Sequence, residues 1–482
     1  QILGRYSLGG ADLLRRAMGK KKPEEMAQQR NIFREGAAQN DIGQVKADEV
    51  FDLMEKFAGY GFNKSHAAAY SVLAYHTGWL KVRHPAEFYA ANMTVEADNT
   101  DKLRVLLADA RLFGVEFDAP DINRGTFRFE PVANKRVRYG LGAVKGTGQG
   151  AIEAIVAARE GEGERGGSGG APFRSLFDFC ARVDRQRVNK RVVEALVKAG
   201  AFDSLHPEQI AGRAALLASV GLAFEWADTQ AANEGQGGLF DFGDGADSHG
   251  SSTQEPALVH VPTFGVRERL MHEKAALGFY LSGHLFDAWA DEVRRFARQP
   301  IADLVESREP QLLAGIVSDP RTVNGQRGRV VIFRLDDGSE SIEAVAADDL
   351  FEAQRELAQE DQLVIVQGRV QPDRFGGGGL RMNVTQVWDL PAARARFGRY
   401  LSVDLNGGLP PVGDVLKLWP SRRVESEHGT VQQGLTIRLK VRRRHAVAEI
   451  DLGEVARFWP CDEALARWRS IAESGAATVV YE

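Results

Sequence analysis

Several stretches of this 482-residue chain combine residue types that can act on phosphate. Near the start, SLGGADLLRRAMGKKKPEEM sets Gly9 and Gly10 beside Arg15, Arg16 and Lys20, three cations within about two turns of one helix. Guanidinium groups meet phosphate through planar paired donors and lysine adds a mobile point charge, so such a wall suits a triphosphate or a nucleic-acid backbone. A solvated basic helix has the same composition. At GYGFNKSH, aromatic rings adjoin Lys64, Ser65 and His66, which would supply stacking surface, phosphate contact and hydroxyl donation. A helix cap at Ser65 is the plainer alternative.

Further on, KGTGQG places Lys145, Gly146, Thr147, Gly148 and Gly150 ahead of Ile152, Ile155 and Val156 at helical spacing. The pattern resembles a helix-hairpin-helix element, whose glycines expose backbone N–H groups at a helix N-terminus to DNA phosphates; a simple structural turn would also use glycine. Contacts confined to phosphate carry no base sequence information and weaken steeply with salt. In QGGLFDF, Gln236, Leu239 and Phe240 form a short peptide able to fill an apolar groove on a partner, or a chance apolar pair in a polar tract. Arg321, Arg327, Arg329 and Phe333 lie among short strands and would suit tracking and stacking along a single strand. PDIN, from Pro120 to Asn123, lacks the second acid of a metal pair. No segment reads as paired metal carboxylates, a P-loop, a nucleophile elbow or a zinc signature, and Cys180 and Cys461 are too far apart in sequence to form a metal-ligand cluster.

The elements that must position these residues fall into blocks. Residues 1–118 read as helical: Pro23 with Glu24 and Glu25 starts one helix, Val50, Phe51, Met54 and Phe57 stripe another that Gly59 and Gly61 end, and a third runs from about Ser65 to Pro85. Residues 119–224 hold the glycine hairpin and a second similar helical unit, VNKRVVEALVKAGAFD. From 225 to 262 the hydrophobic periodicity fades. Glu225 to Glu255 carries seven acids and no Lys or Arg, against eight Lys or Arg and four acids in the first forty residues. Basic modules separated by a flexible acidic linker are expected, despite a net charge of −5. A helical connector follows over 263–308, and then 309–391 alternates short apolar strands with turns as a small antiparallel barrel would. Residues 392–482 mix strand and helix text. No apolar run reads as a membrane span and no signal-peptide pattern opens the chain, so a cytoplasmic protein without a membrane partner is expected.

Taken in order, YSLGGADLLRRAMGKKKPEEM, FAGYGFNKSHAAAYSVLAYHTGWLK, PAEFYAANMT, YGLGAVKGTGQGAIEAI and QGGLF resemble the C-terminal part of bacterial replicative DNA polymerase III alpha subunits, the C-family DNA polymerases. The resemblance implies a multidomain α+β fold: a helical fingers remnant at 1–118, a tandem helix-hairpin-helix domain at 119–224, a linker with a clamp-binding motif at 225–262, a connector at 263–308, an OB-fold β-barrel at 309–391, and a small mixed α/β domain at 392–482 that contacts the tau subunit of the clamp loader. It implies that Arg15, Arg16, Lys20, Lys64, Ser65 and His66 face deoxynucleoside triphosphate or primer-template DNA. Lys145 to Gly150 would face duplex DNA, and Gln236, Leu239 and Phe240 the beta sliding clamp. The family's palm aspartates, which hold two Mg²⁺ ions, would lie upstream, so this chain would carry no catalytic or metal-binding residue and would not add nucleotides alone. An error-prone relative of the family and a non-catalytic DNA-binding clamp adaptor are the alternatives; the unbroken SLGGADLLRRAMGKKKPEEM favours the replicative type.

Overall fold

The computed structural model describes residues 1–20, 23–60, 64–162, 170–237, 254–325, 328–352, 354–373, 379–406, 412–426 and 429–481. Two compact units divide it, Gln1–Tyr89 with Ala133–Lys135, and Ala90–Val132 with Arg136–Glu482.

The first unit is helical. α1 (Leu8–Lys20), α2 (Pro23–Ala38) and α3 (Gln44–Tyr60) close on Ala17, Met26, Phe33, Ala37, Ala47 and Phe51, with the rings of Phe33 and Phe51 5.7 Å apart. Pro23 opens α2 as its missing donor allows, and α3 runs through Gly59 before ending at Tyr60. Gly36 lets the chain cross itself, because a Cβ there would collide with the Gly4 carbonyl. α4 (Lys64–Arg83) stops ahead of Pro85, which opens α5 (Pro85–Val95).

The second unit continues through α6 (Thr100–Leu112), capped by the Asn99 side chain, and the strands β1 (Glu116–Asp118), β2 (Glu130–Ala133) and β3 (Arg136–Arg138). The glycine hairpin leads into α7 (Gln149–Glu160), followed by α8 (Leu176–Arg182), α9 (Lys190–Ala199) and α10 (Arg213–Gly237). α10 passes for a membrane span by length and composition, which the sequence expectation had missed. It packs instead against α8 and α9, burying Leu216, Val220, Ala223 and Ala227. The helix also carries Glu225 to Gly237 of the stretch expected to be linker. Burial of Ala227 and the edge-on contact of Trp226 with Phe177, 5.7 Å between centroids, give those residues the tertiary anchoring that their weak periodicity hid. Beyond the undescribed residues, the chain returns alongside the same helix, where the Val259 amide donates to the Ser219 hydroxyl at 2.8 Å.

α11 (Val266–Leu277) packs on α9, and the Arg213 guanidinium at the start of α10 donates to the fully buried Glu273 at 3.2 Å. After the short α12 (Ala290–Val293) comes a closed barrel. Its strands β4 (Ser307–Gly325), β5 (Gly328–Asp336), β6 (Ser341–Ala347), β7 (Leu363–Pro372) and β8 (Leu380–Trp388) close in the order β4-β5-β6-β8-β7 around Leu313, Val331, Phe333, Leu335, Val366 and Met382. α13 (Leu390–Phe397) leads to a mixed domain: β9 (Gly398–Asn406), α14 (Val412–Leu418), the hairpin β10 (Arg422–Ser426) and β11 (Gly429–Gln433), then β12 (Thr436–Arg443), β13 (Ala446–Asp451), α15 (Asp462–Ile471) and β14 (Ala477–Tyr481). A four-stranded sheet ordered β13-β12-β9-β14 packs with α15 over Leu401, Ile437, Phe458 and Trp468. Arg394 of α13 ties the connector to this domain: it reaches Glu292 at 2.7 and 2.8 Å, the Pro460 carbonyl at 3.1 Å and Asp462 at 2.6 Å.

Candidate nucleic-acid interface

The hairpin ahead of α7 is anchored from behind and open in front. Leu141 and Val144 are buried, and the Thr147 hydroxyl lies 2.9 Å from the Leu141 carbonyl and 2.6 Å from that of Val144, donating across the turn. That hydroxyl is therefore a strut of the turn and is spoken for inside it. The Lys145 amide donates to the Ala276 carbonyl at 2.8 Å, while its exposed ammonium lies beside Gly278 at the C-terminus of α11. Gly146 has φ +83, a conformation that side chains resist. Gly148 caps α7 with ordinary φ −81 and no side-chain bond.

Among the described residues the amides of Gly148, Gln149 and Gly150 find no acceptor, as expected for the first turn of a helix. Ala151, Ile152, Ile155 and Ala158 face the interior, while Gly148, Gln149 and Gly150 are exposed at the open end of α7. A Cβ built on Gly148 or Gly150 would meet nothing within 4 Å. The fold does not require glycine at either place; close approach of something outside the chain would.

The barrel corrects part of the sequence expectation. Side chains alternate along a strand, and Val331, Phe333 and Leu335 all point inward. Phe333 is 1% exposed and packs edge-on with Phe351, 6.0 Å between centroids, so it offers no stacking surface. Arg329 has the same parity but stands at the open end of the strand, where its side chain is exposed and reaches Asp348 at 3.8 Å. Arg327 lies outside the described residues. Arg321 is exposed, opposite Ile332 of β5, and binds Glu343 at 3.1 Å. The alternation adds Arg334, Arg369 and Arg381, none of which was singled out from the sequence, to the outward face. The apolar residues flanking Phe333 at two-residue spacing were the signal: they send Phe333 in and Arg334 out.

In the first unit, Arg15 and Arg16 are exposed on α1 and share Asp12, at 2.9 Å each. The hydrogen bond from Arg15 and the positive charge around it hold the Asp12 carboxyl below its ordinary range. Beside Arg15, a groove of about 390 Å³ is lined by Leu14, Met18, Val50, Leu53 and Met54. Lys20 closes α1 and Lys64, Ser65 and His66 open α4, but the side chains of all four lie outside the description. Gln236 sits in the last turn of α10 with its side chain likewise outside, and Leu239 and Phe240 fall outside the described residues altogether.

Three family models match the chain: the bacterial DNA polymerase III alpha subunit finger domain over residues 1–41, a helix-hairpin-helix motif over 114–211 and an OB-fold nucleic acid binding domain over 312–390. The DNA polymerase III subunit alpha of Neisseria meningitidis serogroup A is 47% identical over 406 residues, which cover 84% of this chain and 34% of the relative. That of Pseudomonas aeruginosa is 42% identical, covering 96% and 39%, and that of Escherichia coli K12 is 38% identical, covering 98% and 40%. The chain belongs to the bacterial DNA polymerase III alpha subunit family. It spans well under half the length of these relatives, and its multidomain α+β fold, with helix-hairpin-helix and OB-fold parts, matches the family models. Among the described residues no cluster of His, Cys, Asp or Glu could hold a metal ion, and no step is assigned to a metal in this chain.

Proposed function

We propose that this chain is the DNA-gripping part of a replicative DNA-directed DNA polymerase, with the first turn of α7 seated on duplex phosphates. The observation that carries the reading is the pair of glycines at 148 and 150: their side-chain space is empty and the neighbouring amides are unpaired. A helix N-terminus also carries partial positive charge, which favours an anion there. In this reading Lys145 adds a mobile charge, and the exposed Arg15 and Arg16 meet nucleotide or primer-template phosphates. Lys20, Lys64, Ser65 and His66 would extend that surface. Gln236, Leu239 and Phe240 would take the beta sliding clamp, and residues 392–482 the tau subunit of the clamp loader, in the cytoplasm. In the relatives, polymerisation would require two Mg²⁺ ions on palm carboxylates in the part of the polypeptide that this chain does not span. The 482 residues alone would then bind primer-template DNA without extending it.

The test is a Gly148→Ala/Gly150→Ala double variant, titrated with a labelled duplex by fluorescence anisotropy. Affinity should fall about tenfold, equally for unrelated duplex sequences, with the melting temperature little changed. Unchanged affinity would remove the hairpin from the interface. Primer extension by the same contaminant-free preparation would refute the division of labour.

A further inference from the structure

We infer that the outward strand face of the barrel binds the sugar-phosphate backbone of a single strand and not its bases, and that Glu343, at the centre of that face, weakens the grip. The inference rests on the reading of the barrel as a nucleic-acid module and specifies its ligand chemistry. Cross-strand register places Arg334 of β5 opposite Glu343 of β6, Glu343 opposite Arg381 of β8, and Arg381 opposite Gln371 of β7. Two residues along the strands, Ile332, Val345, Asn383 and Arg369 form the next row. Neighbouring positions in such a lattice are about 5 Å apart across strands and about 7 Å apart along one. Arg321 reaches in from β4, so Arg321 and Arg381 both contact the one carboxylate, while Arg334, held by Ser341 at 2.6 Å, and Arg369 lie on the same face.

Stacking would need a ring on this face. The residues between the arginines are aliphatic or amide, and both described phenylalanines of the barrel, Phe333 and Phe351, are in its core. Trp388, at the far end of β8, packs edge-on against Phe397 with Arg396 over its ring. Phe375 lies outside the described residues. A face of this composition attracts phosphates, whatever base they carry.

Glu343 opposes that attraction directly. Its carboxylate accepts from Arg321 at 3.1 Å and lies 3.3 Å from Arg381 Nε, which has no aligned hydrogen bond of its own. A phosphate landing between these arginines must meet a like charge about 5 Å away. In a solvent-like dielectric that repulsion lowers affinity about fourfold before salt screening and about two- to threefold with it.

The experiment compares a labelled oligothymidine with an abasic oligomer of equal length, titrated against the full chain at two salt concentrations. The abasic strand should bind within about twofold of oligothymidine, and Glu343→Gln should tighten both about threefold. An Arg334→Ala/Arg369→Ala variant should weaken both about tenfold and lower the salt slope by about 1.4. Loss of more than about tenfold on the abasic strand would overturn backbone recognition in favour of stacking. No gain from Glu343→Gln, with the melting temperature unchanged, would overturn the role of the carboxylate. Strand binding that ignores the arginine replacements would sink the underlying reading of the barrel itself.

Discussion

The two hairpins of the helix-hairpin-helix region are built alike and finished differently. Each feeds a helix that ends on a left-handed glycine, Gly161 after α7 with φ 79 and Gly200 after α9 with φ 90. At the first, the cap is Gly148 and has no side chain to offer. At the second, the Asn189 side chain accepts from the Val192 amide at 3.1 Å, Asp184 accepts from the Gln186 amide at 2.9 Å, and Arg185 is paired with Asp228 of α10. The far end of α9 is held as firmly, because Gly200 packs on Arg213, whose guanidinium binds Asp203 at 2.8 and 2.7 Å and Glu273 at 3.2 Å. The second hairpin is braced by these side chains, although the amides of Lys190 and Arg191, like those of Gln149 and Gly150, have no acceptor among the described residues. The first differs in having no side chain at 148 or 150, so a phosphate could approach its free amides more closely.

The brace should break hardest. Arg213→Ala removes the cation facing Glu273, which is 0% exposed and would keep only the Leu281 and Ser282 amides at 2.7 and 2.8 Å, and breaking a buried ion pair costs about 3 kcal/mol or more. Denaturant unfolding of the variant should show that loss; a change below about 1 kcal/mol would mean that the packing of α9, α10 and α11 does not depend on the ion network. A smaller effect is expected at the second cap. Asn189→Ala should cost about 1 kcal/mol of stability and leave duplex affinity unchanged, since its side chain serves only the Val192 amide. If duplex affinity fell with it, both hairpins would be on the DNA and the contrast between them would fail.

How far this contrast could be read from sequence depends on which principle decides each residue. The glycine hairpin was legible because Gly146, Gly148 and Gly150 act through the backbone, locally, ahead of a helix with regular apolar spacing. The barrel strands were legible for a similar reason: each coincides with an apolar run bounded by turn residues. Phe333 was misplaced because a residue type was weighed without its strand parity, and Arg334, its neighbour, was missed by the same omission. Glu225 to Gly237 looked like linker because its composition is polar, yet Trp226 and Ala227 find partners only in the tertiary structure. Asp12 was also silent in the sequence, although it neutralises part of the charge carried by Arg15 and Arg16. Pairing of that kind depends on the turn of the helix, and a count of cations does not contain it.

The smallest expected effect separates the two hairpins by sign. Gly150 lies in the first turn of α7 with no unusual backbone angle, and the space around it is open. Alanine there removes backbone freedom from the unfolded chain and introduces no clash, so Gly150→Ala should stabilise the protein by up to about 1 kcal/mol. The same methyl group stands where a phosphate would approach the Gly150 amide, so duplex affinity should fall by a few-fold, about 0.5–1 kcal/mol. Stability and binding then move in opposite directions at the first hairpin, whereas Asn189→Ala lowers stability alone at the second. A glycine that the fold would exchange for alanine at a gain is one retained for a ligand; if Gly150→Ala stabilises the chain and duplex binding stays intact, the open turn of α7 is a turn and nothing more.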